Sequence, residues 1–353
     1  MQSYNFFFIC AIFFVILRPK VLIHMNSLGK NFVFTSFGES HGRAIGGVLD
    51  GVPAGVHIDM DMIREALGKR AGRAKGDEAI RQVAGVSPRA VREGDEVELL
   101  SGVLDGVTLG TPIAFIIRNA DARSEDYDWL KHNYRPGHAD QTYQEKYGIR
   151  DYRGGGRASA RETASRVVAG TVAQQLLADK NIHISARLVQ VGTETNSDKF
   201  AQYIADIQRD GDSIGGIVEC VITGLPIGVG EPIFDKLQSH LAYAMLSINA
   251  CKGFEYGSGF SGVKLKGSEM YLSNDPQLVS GGIAGGISDG NPIVFRCVFK
   301  PTASNRKTLS TLNSQLSTLK LGRHDACVAV RAVAVVEAMT ALVIRDFLMD
   351  KEV

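Results

Sequence analysis

Residues 152–179 read YRGGGRASARETASRVVAGTVAQQLLAD. From Ala160 onward, apolar residues recur at i, i+3, i+4 and i+7, which predicts a long helix with a buried face. Three glycines stand just before it. Glycine lets backbone N–H groups approach an anion closely, and a helix starting near Ala160 turns its positive N-terminus the same way. Arg153, Arg157 and Arg161 add donors suited to phosphate or carboxylate. Taken alone, the segment reads equally well as an anion cradle and as a tight turn with solvated arginines. No Lys-Ser/Thr pair follows the glycines, which disfavours a nucleotide-hydrolysing P-loop. KYGIRDYR before them is not an apolar strand, so a dinucleotide fold has little support.

Strands and helices surround this segment. NFVFTSF (31–37), GIVECVITGL (216–225) and PIVFRCVFK (292–300) are apolar and β-branched runs that read as strands. DMDMIREALGKRA (59–71) opens on acidic residues, as a helix N-terminus prefers. KLQSHLAYAMLSI (236–248) also has helical period. AVRAVAVVEAMTALVIRDFLMD (329–350) is apolar almost all round, so it belongs in the interior or at a subunit interface. The Ser/Thr-rich stretch 303–321 reads as an exposed loop. No Pro- or Ser-rich linker divides the chain and no fixed-period repeat is visible. One α/β unit over residues 25–350 is the expectation.

Composition narrows the partners. The chain has 353 residues, is 44% hydrophobic and carries a net charge of +1, so it lacks the global basic field of a nucleic-acid binder. Arginine is nevertheless dense across 135–166. The five cysteines are odd in number and far apart, with no CxxC or Cys/His spacing, so neither a disulfide framework nor a metal site is expected. They read as reduced thiols of a cytoplasmic protein. Phe6–Leu17 is strongly apolar but shorter than the roughly 20 residues that span a bilayer, and no Lys or Arg precedes it. Residues 1–24 are expected to be a poorly ordered extension, or the result of a start set upstream of Met25. No membrane association is expected.

Three of the eight histidines lie in turns rich in Gly, Arg or Asp: His41 in FGESHGR, His138 in RPGHAD and His324 in GRHDA. A histidine beside arginine can titrate near neutrality and act as a general acid. Further glycine-rich or turn-forming pieces follow at GGIAGGISDGNP (281–292) and KPTASN (300–305). So many anion-friendly loops suit ligands carrying several phosphates or carboxylates.

FGESHG, RPGHADQTYQEKYGIRDYRGGGRASARET, GGIAGGISDGNPIVFRCVFKPTAS and GRHDACVAVRAVAVVEAM together resemble the chorismate synthase family, in order, from Met25 to about Phe347. The resemblance implies an α/β (α+β) sandwich, with a helical layer between antiparallel sheets, assembled as a homotetramer. It implies a lyase of the shikimate pathway, serving aromatic amino-acid biosynthesis. The reaction would convert 5-enolpyruvylshikimate 3-phosphate to chorismate and phosphate by a 1,4-elimination, with reduced FMN and no net redox change.

The resemblance also assigns residues. His138 matches the acid for the leaving phosphate, His41 the histidine near the flavin, and Asp325 the aspartate that relays a proton at the flavin N5. Ser40, Arg70, Lys75, Arg135, Arg161 and Arg323 match the substrate ligands. Arg157, Ala158, Ser159, Asn249, Ala250, Gly285, Lys300, Pro301, Thr302, Ala303, Ser304 and Arg323 match the FMN ligands. Arg70 and Lys75 fall where an NADP site is sometimes inferred, and NADPH would be needed only if the enzyme reduces its own flavin. No flavin-reductase domain is visible. Ala158 stands where many relatives have serine, and the KRAGRAK segment and the connection from Ser304 to Gly322 are shorter than in some relatives.

Overall fold

The computed structural model describes residues 26–72, 95–119, 124–308 and 325–349. The expected strands form as β2 (Val33–Gly38), β9 (Gly216–Thr223) and β13 (Ile293–Phe299). The expected helices form as α1 (Met60–Arg70), α3 (Thr163–Ala178), α5 (Leu237–Leu246) and α6 (Ala329–Met349). Helix α3 begins three residues later than the sequence suggested. Ser159, in extended conformation, caps a 3₁₀ turn over Ala160–Glu162, and the α-helix starts after it. The sequence reading did not single out α2 (Asp140–Tyr147), β8 (His183–Val191) or α4 (Ser197–Arg209). The expected loop at 303–321 is corrected at its start. Ser304 and Asn305 are buried, Asn305 Nδ2 donates to Ser213 Oγ at 3.1 Å, and residues 306–308 are helical.

Two antiparallel sheets sandwich the long helices. One runs β1 (Ser27–Leu28), β2, β3 (Ala44–Asp50), β7 (Ile113–Arg118), β4 (Val97–Leu99). The other runs β10 (Cys251–Tyr256), β13, β9, β8. Helix α3 packs on β2 and β3 of the first sheet and on β8 of the second. Helix α6 packs on β8, β9, α1, α3 and α5. The near-continuous burial of α6 is therefore accounted for within the chain. The inner faces supply Phe34, Ile45, Phe115, Val218, Phe295 and Phe299 to one continuous core. The outer face of the second sheet is instead a ladder of alternating charge. Arg187–Glu219, Arg296–Glu219 and Arg296–Glu255 approach to 2.8, 3.7 and 3.6 Å across four strands.

The same order of elements runs twice. Strands β2, β3, β7 and β4 pair as β8, β9, β13 and β10 do. A small hairpin precedes the third long strand each time: β5 (Val103–Leu104) with β6 (Val107–Thr108), then β11 (Ile283–Ala284) with β12 (Ile287–Ser288). Thr108 Oγ1 donates to Pro53 O at 2.6 Å, and Ser288 Oγ to Pro226 O at 2.6 Å. Gly55 N donates to Thr108 O at 2.8 Å, and Gly228 N to Ser288 O at 2.9 Å. Helices α3 and α6 close the respective halves and cross at Gly170. A Cβ there would lie 2.4 Å from Ala338 Cα, so only glycine permits the contact.

Candidate active site

Gly154, Gly155 and Gly156 have φ of +62°, +87° and +53°, left-handed values that glycine adopts without strain. The loop lies directly on His41: a Cβ on Gly154 would sit 2.4 Å from His41 Cδ2 and 2.9 Å from Ser40 Oγ. Ser40 and His41 are thus buried beneath the loop. The His41 ring meets Tyr127 edge-on, with centroids 4.8 Å apart. A Cβ on Gly155 would sit 2.9 Å from Arg135 Nη2, so the loop is wedged between His41 and Arg135.

Above the loop opens a cleft of about 1730 Å³. Pockets for one small ligand span roughly 300–1,000 Å³, so this cleft has room for two. Nine Lys or Arg and only four Asp or Glu line it, although the whole chain carries +1. Arg135, His138, Arg157, Ala158, Ser159, Arg161, Asn249, Ala250, Lys300, Pro301, Thr302, Ala303 and Asp325 all face this one cleft. The distant segments touch one another. A Cβ on Gly137 would meet Ala303 Cβ at 2.7 Å, and Lys300 Nζ donates to Gly137 O at 3.0 Å. Thr302 Oγ1 donates to Asp325 O at 3.0 Å.

Some expected residues lie elsewhere. Ser304 sits behind the wall, buried, with its Oγ bonded to His138 Nε2. Arg70 is 1% exposed and does not line the cleft. Its Nε donates to Thr163 Oγ1 at 2.9 Å and its Nη2 to Ala160 O at 2.8 Å, so it braces the start of α3. Any effect of Arg70 on substrate or on NADP would have to pass through its neighbours. Gly285 is in the turn between β11 and β12 and is not part of the lining. Lys75, Arg323 and His324 lie outside the described residues, as do residues 1–24.

Carboxylates hold the cationic side chains in place. Asp140 accepts Arg135 N, Nε and Nη2 at 2.9, 2.9 and 2.8 Å. Burial pushes the Asp140 carboxyl up, but these hydrogen bonds and the Arg135 charge outweigh it and hold it below the usual range. Asp151 is held low in the same way, with burial opposing and Arg153 prevailing at 2.8 and 2.9 Å. Asp95 pairs with both Arg161 and Arg70. Asp325 pairs with Arg331 at 3.0 Å. Glu162 accepts Arg166 Nε at 2.9 Å and Ser36 Oγ at 2.9 Å.

The sequence reading passed over Ser36, Asp95, Glu162, Arg166 and Arg331. Glu162 and Arg166 are spaced i,i+4, a readable ion-pair signal. Ser36 and Asp95 carried none, because tertiary packing alone brings them to the arginines.

One atom in the cleft bears on ligand binding. Asn249 Nδ2 donates to Ala158 O at 2.9 Å, while Asn249 Oδ1 is buried with no hydrogen-bond partner among the described residues. A buried acceptor left unpaired costs about 1–3 kcal/mol, so it suits a ligand that brings an N–H or O–H donor. Ala250 beside it is held at φ +67°, rare for a residue with a Cβ. No group of three or more metal-ligating side chains occurs among the described residues, and no helix among them is long and apolar enough to cross a membrane.

Comparison with known proteins agrees with this geometry. A family model described as chorismate synthase matches residues 32–349. The chain is 48% identical to the chorismate synthase of Christiangramia forsetii, over 93% of this chain and 98% of that protein. It is 47% identical to that of Flavobacterium psychrophilum, over 92% and 97%. A solved structure titled "Crystal Structure of Chorismate Synthase" superposes with a TM-score of 0.70 at 28% identity, covering 92% of this chain and 93% of that one. With an antiparallel sandwich of the same kind and a match along nearly its whole length, the chain belongs to the chorismate synthase family.

Proposed function

We propose that the cleft binds 5-enolpyruvylshikimate 3-phosphate beside reduced FMN and eliminates phosphate to give chorismate. What supports this reading is the convergence of His138, Asp325, Arg135, Arg161 and the Arg157–Ser159 and Asn249–Ala250 segments on one cleft in which cations outnumber carboxylates. A substrate with one phosphate and two carboxylates calls for such a field.

The flavin fits the residues present. Asn249 Oδ1 offers an unpaired buried acceptor, and Lys300 and Arg157 offer charge for the phosphate. When bound, reduced FMN would supply the electron-rich ring that assists C–O cleavage and takes up the departing hydrogen.

The chain's own residues do the rest. Arg135, fixed by Asp140, and Arg161, fixed by Asp95, bind and orient the anionic substrate. Ser304 Oγ at His138 Nε2 sets the orientation of the imidazole, which protonates the leaving phosphate. Excess positive charge in the cleft stabilises negative charge as it builds on that phosphate. Asp325, braced by Arg331, manages the proton on the flavin side.

The test is an anaerobic assay with 5-enolpyruvylshikimate 3-phosphate and photoreduced FMN, following chorismate and phosphate. Turnover with catalytic reduced flavin is expected, and His138→Ala should lower kcat by about 10²–10⁴-fold. Absence of phosphate release would sink the reading. Replacing photoreduced FMN by oxidised FMN plus NADPH tests whether the chain reduces its own flavin: turnover there assigns it that activity, and none means that reduced flavin must be supplied.

A further inference from the structure

The two segments matched to the flavin, 157–159 and 249–250, come from opposite halves of the chain, and one buried carboxylate stands between them. The side chain of Glu162 is 3% exposed. It accepts Arg166 Nε at 2.9 and 3.2 Å on one side and Ser36 Oγ at 2.9 Å on the other. Ser36 Oγ in turn accepts Arg157 Nη2 at 2.7 Å. A hydroxyl has a single proton. Glu162 takes that proton, so the Ser36 lone pairs are directed at Arg157. On the far side, Arg166 Nη1 donates to Ser247 Oγ at 2.7 Å, two residues before Asn249. Asn249 then closes the ring by donating to Ala158 O at 2.9 Å.

We propose that Glu162 is a positioning residue for flavin binding. Through Ser36 it aims Arg157 into the cleft, and through Arg166 it fixes the turn that carries Asn249. Arg157 and Arg166 both line the cleft and share this carboxylate, the Arg157 approach to it being 3.9 Å. Two guanidiniums on one carboxylate leave a net positive charge facing an anionic ligand. A glutamine at 162 offers one acceptor oxygen in place of two, so it cannot hold both Ser36 and Arg166 as the carboxylate does, while Arg157 itself would remain. Its influence on the flavin therefore runs through Arg157 and the Ser247–Asn249 turn rather than through contact.

The inference rests on the flavin reading above, and the experiment separates the two. Binding of FMN to the full chain is followed by quenching of flavin fluorescence in Glu162→Gln, Arg157→Gln and the double variant, with thermal unfolding measured without flavin. Glu162→Gln and Arg157→Gln are each expected to weaken FMN binding by about tenfold, and the double variant to bind more weakly than Arg157→Gln, through the Ser247–Asn249 arm, but by clearly less than the product of the two losses. Ser36→Ala keeps the buried charge paired with Arg166, so it covers the case in which Glu162→Gln fails to fold. It should weaken FMN binding several-fold and have no further effect on Arg157→Gln. Multiplicative losses, or variants at 162 and 36 that bind as the unaltered chain does, would overturn the assignment. An unaltered chain that does not bind FMN would instead overturn the flavin reading itself.

Discussion

Gly154→Ala is the sharpest probe of the glycine loop. The residue sits at φ +62°, and the left-handed region costs a side chain ~1–2 kcal/mol. The added Cβ would also lie 2.4 Å from His41 Cδ2 and 2.6 Å from Nε2, about 1 Å inside ordinary contact. Overpacking of that kind adds ~1–3 kcal/mol. Gly285→Ala is the matched control, because its φ is +65° but a Cβ there meets nothing within 4 Å. The control should lose only the backbone share, ~1–2 kcal/mol, and Gly154→Ala ~2–5 kcal/mol in urea unfolding. Moving His41 by about 1 Å should also cut kcat/KM for phosphate release by at least tenfold, since a misplacement of that size can cost ~10²-fold. If the two variants lose equal stability and Gly154→Ala keeps full activity, the loop does not bear on His41 and the reasoning fails.

Three other perturbations test the electrostatics. The Asp140 carboxyl is held below its ordinary value in the fold, so its pair with Arg135 stabilises fully above about pH 4 and loses that effect as pH falls further. The stability advantage of the unaltered chain over Asp140→Asn should therefore shrink on acidification; acid titration followed by circular dichroism with a constant gap would refute this. Burial pushes the Glu337 carboxyl up, against its hydrogen bond from Ala186 N at 2.8 Å, so charging it destabilises the fold as pH rises past about 4.3. Glu337→Gln keeps the acceptor and should be more stable than the unaltered chain near pH 8, with the two converging near pH 4, as read by thermal unfolding. The Cys251 thiol is held low by a hydrogen bond from Cys297, while burial raises Cys220 and pushes Cys327 up to about 11. Among the four described cysteines, Cys251 should react first with a thiol reagent near pH 8, and Cys251→Ser should remove that phase.

Periodicity carried much of the fold. Every strand and helix singled out in the sequence is present, because each buries one face or, for α6, nearly all of its surface. The duplicated architecture was not legible. Matched residues are separated by a drifting interval, Asn31 with Asn181 but Gly102 with Gly282, since α4 and the loops differ between the halves. At the site, the anion-seeking character of 152–163 was readable from residue types. Its partners were not: nothing in the sequence pairs Glu162 with Ser36, and only the packing of β2 against α3 buries the two together. Asp140 stands two residues from His138 in RPGHAD, yet its carboxylate goes to Arg135.

The crossing at Gly170 has a consequence for how the chain is made. Helix α3 ends the first half, yet the surface it needs belongs to α6, which the ribosome delivers some 150 residues later. Until residues 329–349 emerge, the face of α3 that meets α6 is left without its cover, an apolar surface prone to aggregation during synthesis. The cleft is bound by the same timetable, since Arg157 belongs to the first half and Lys300 to the second. Cutting the chain between α3 and β8 would separate two pieces that must find each other before either can hold a ligand.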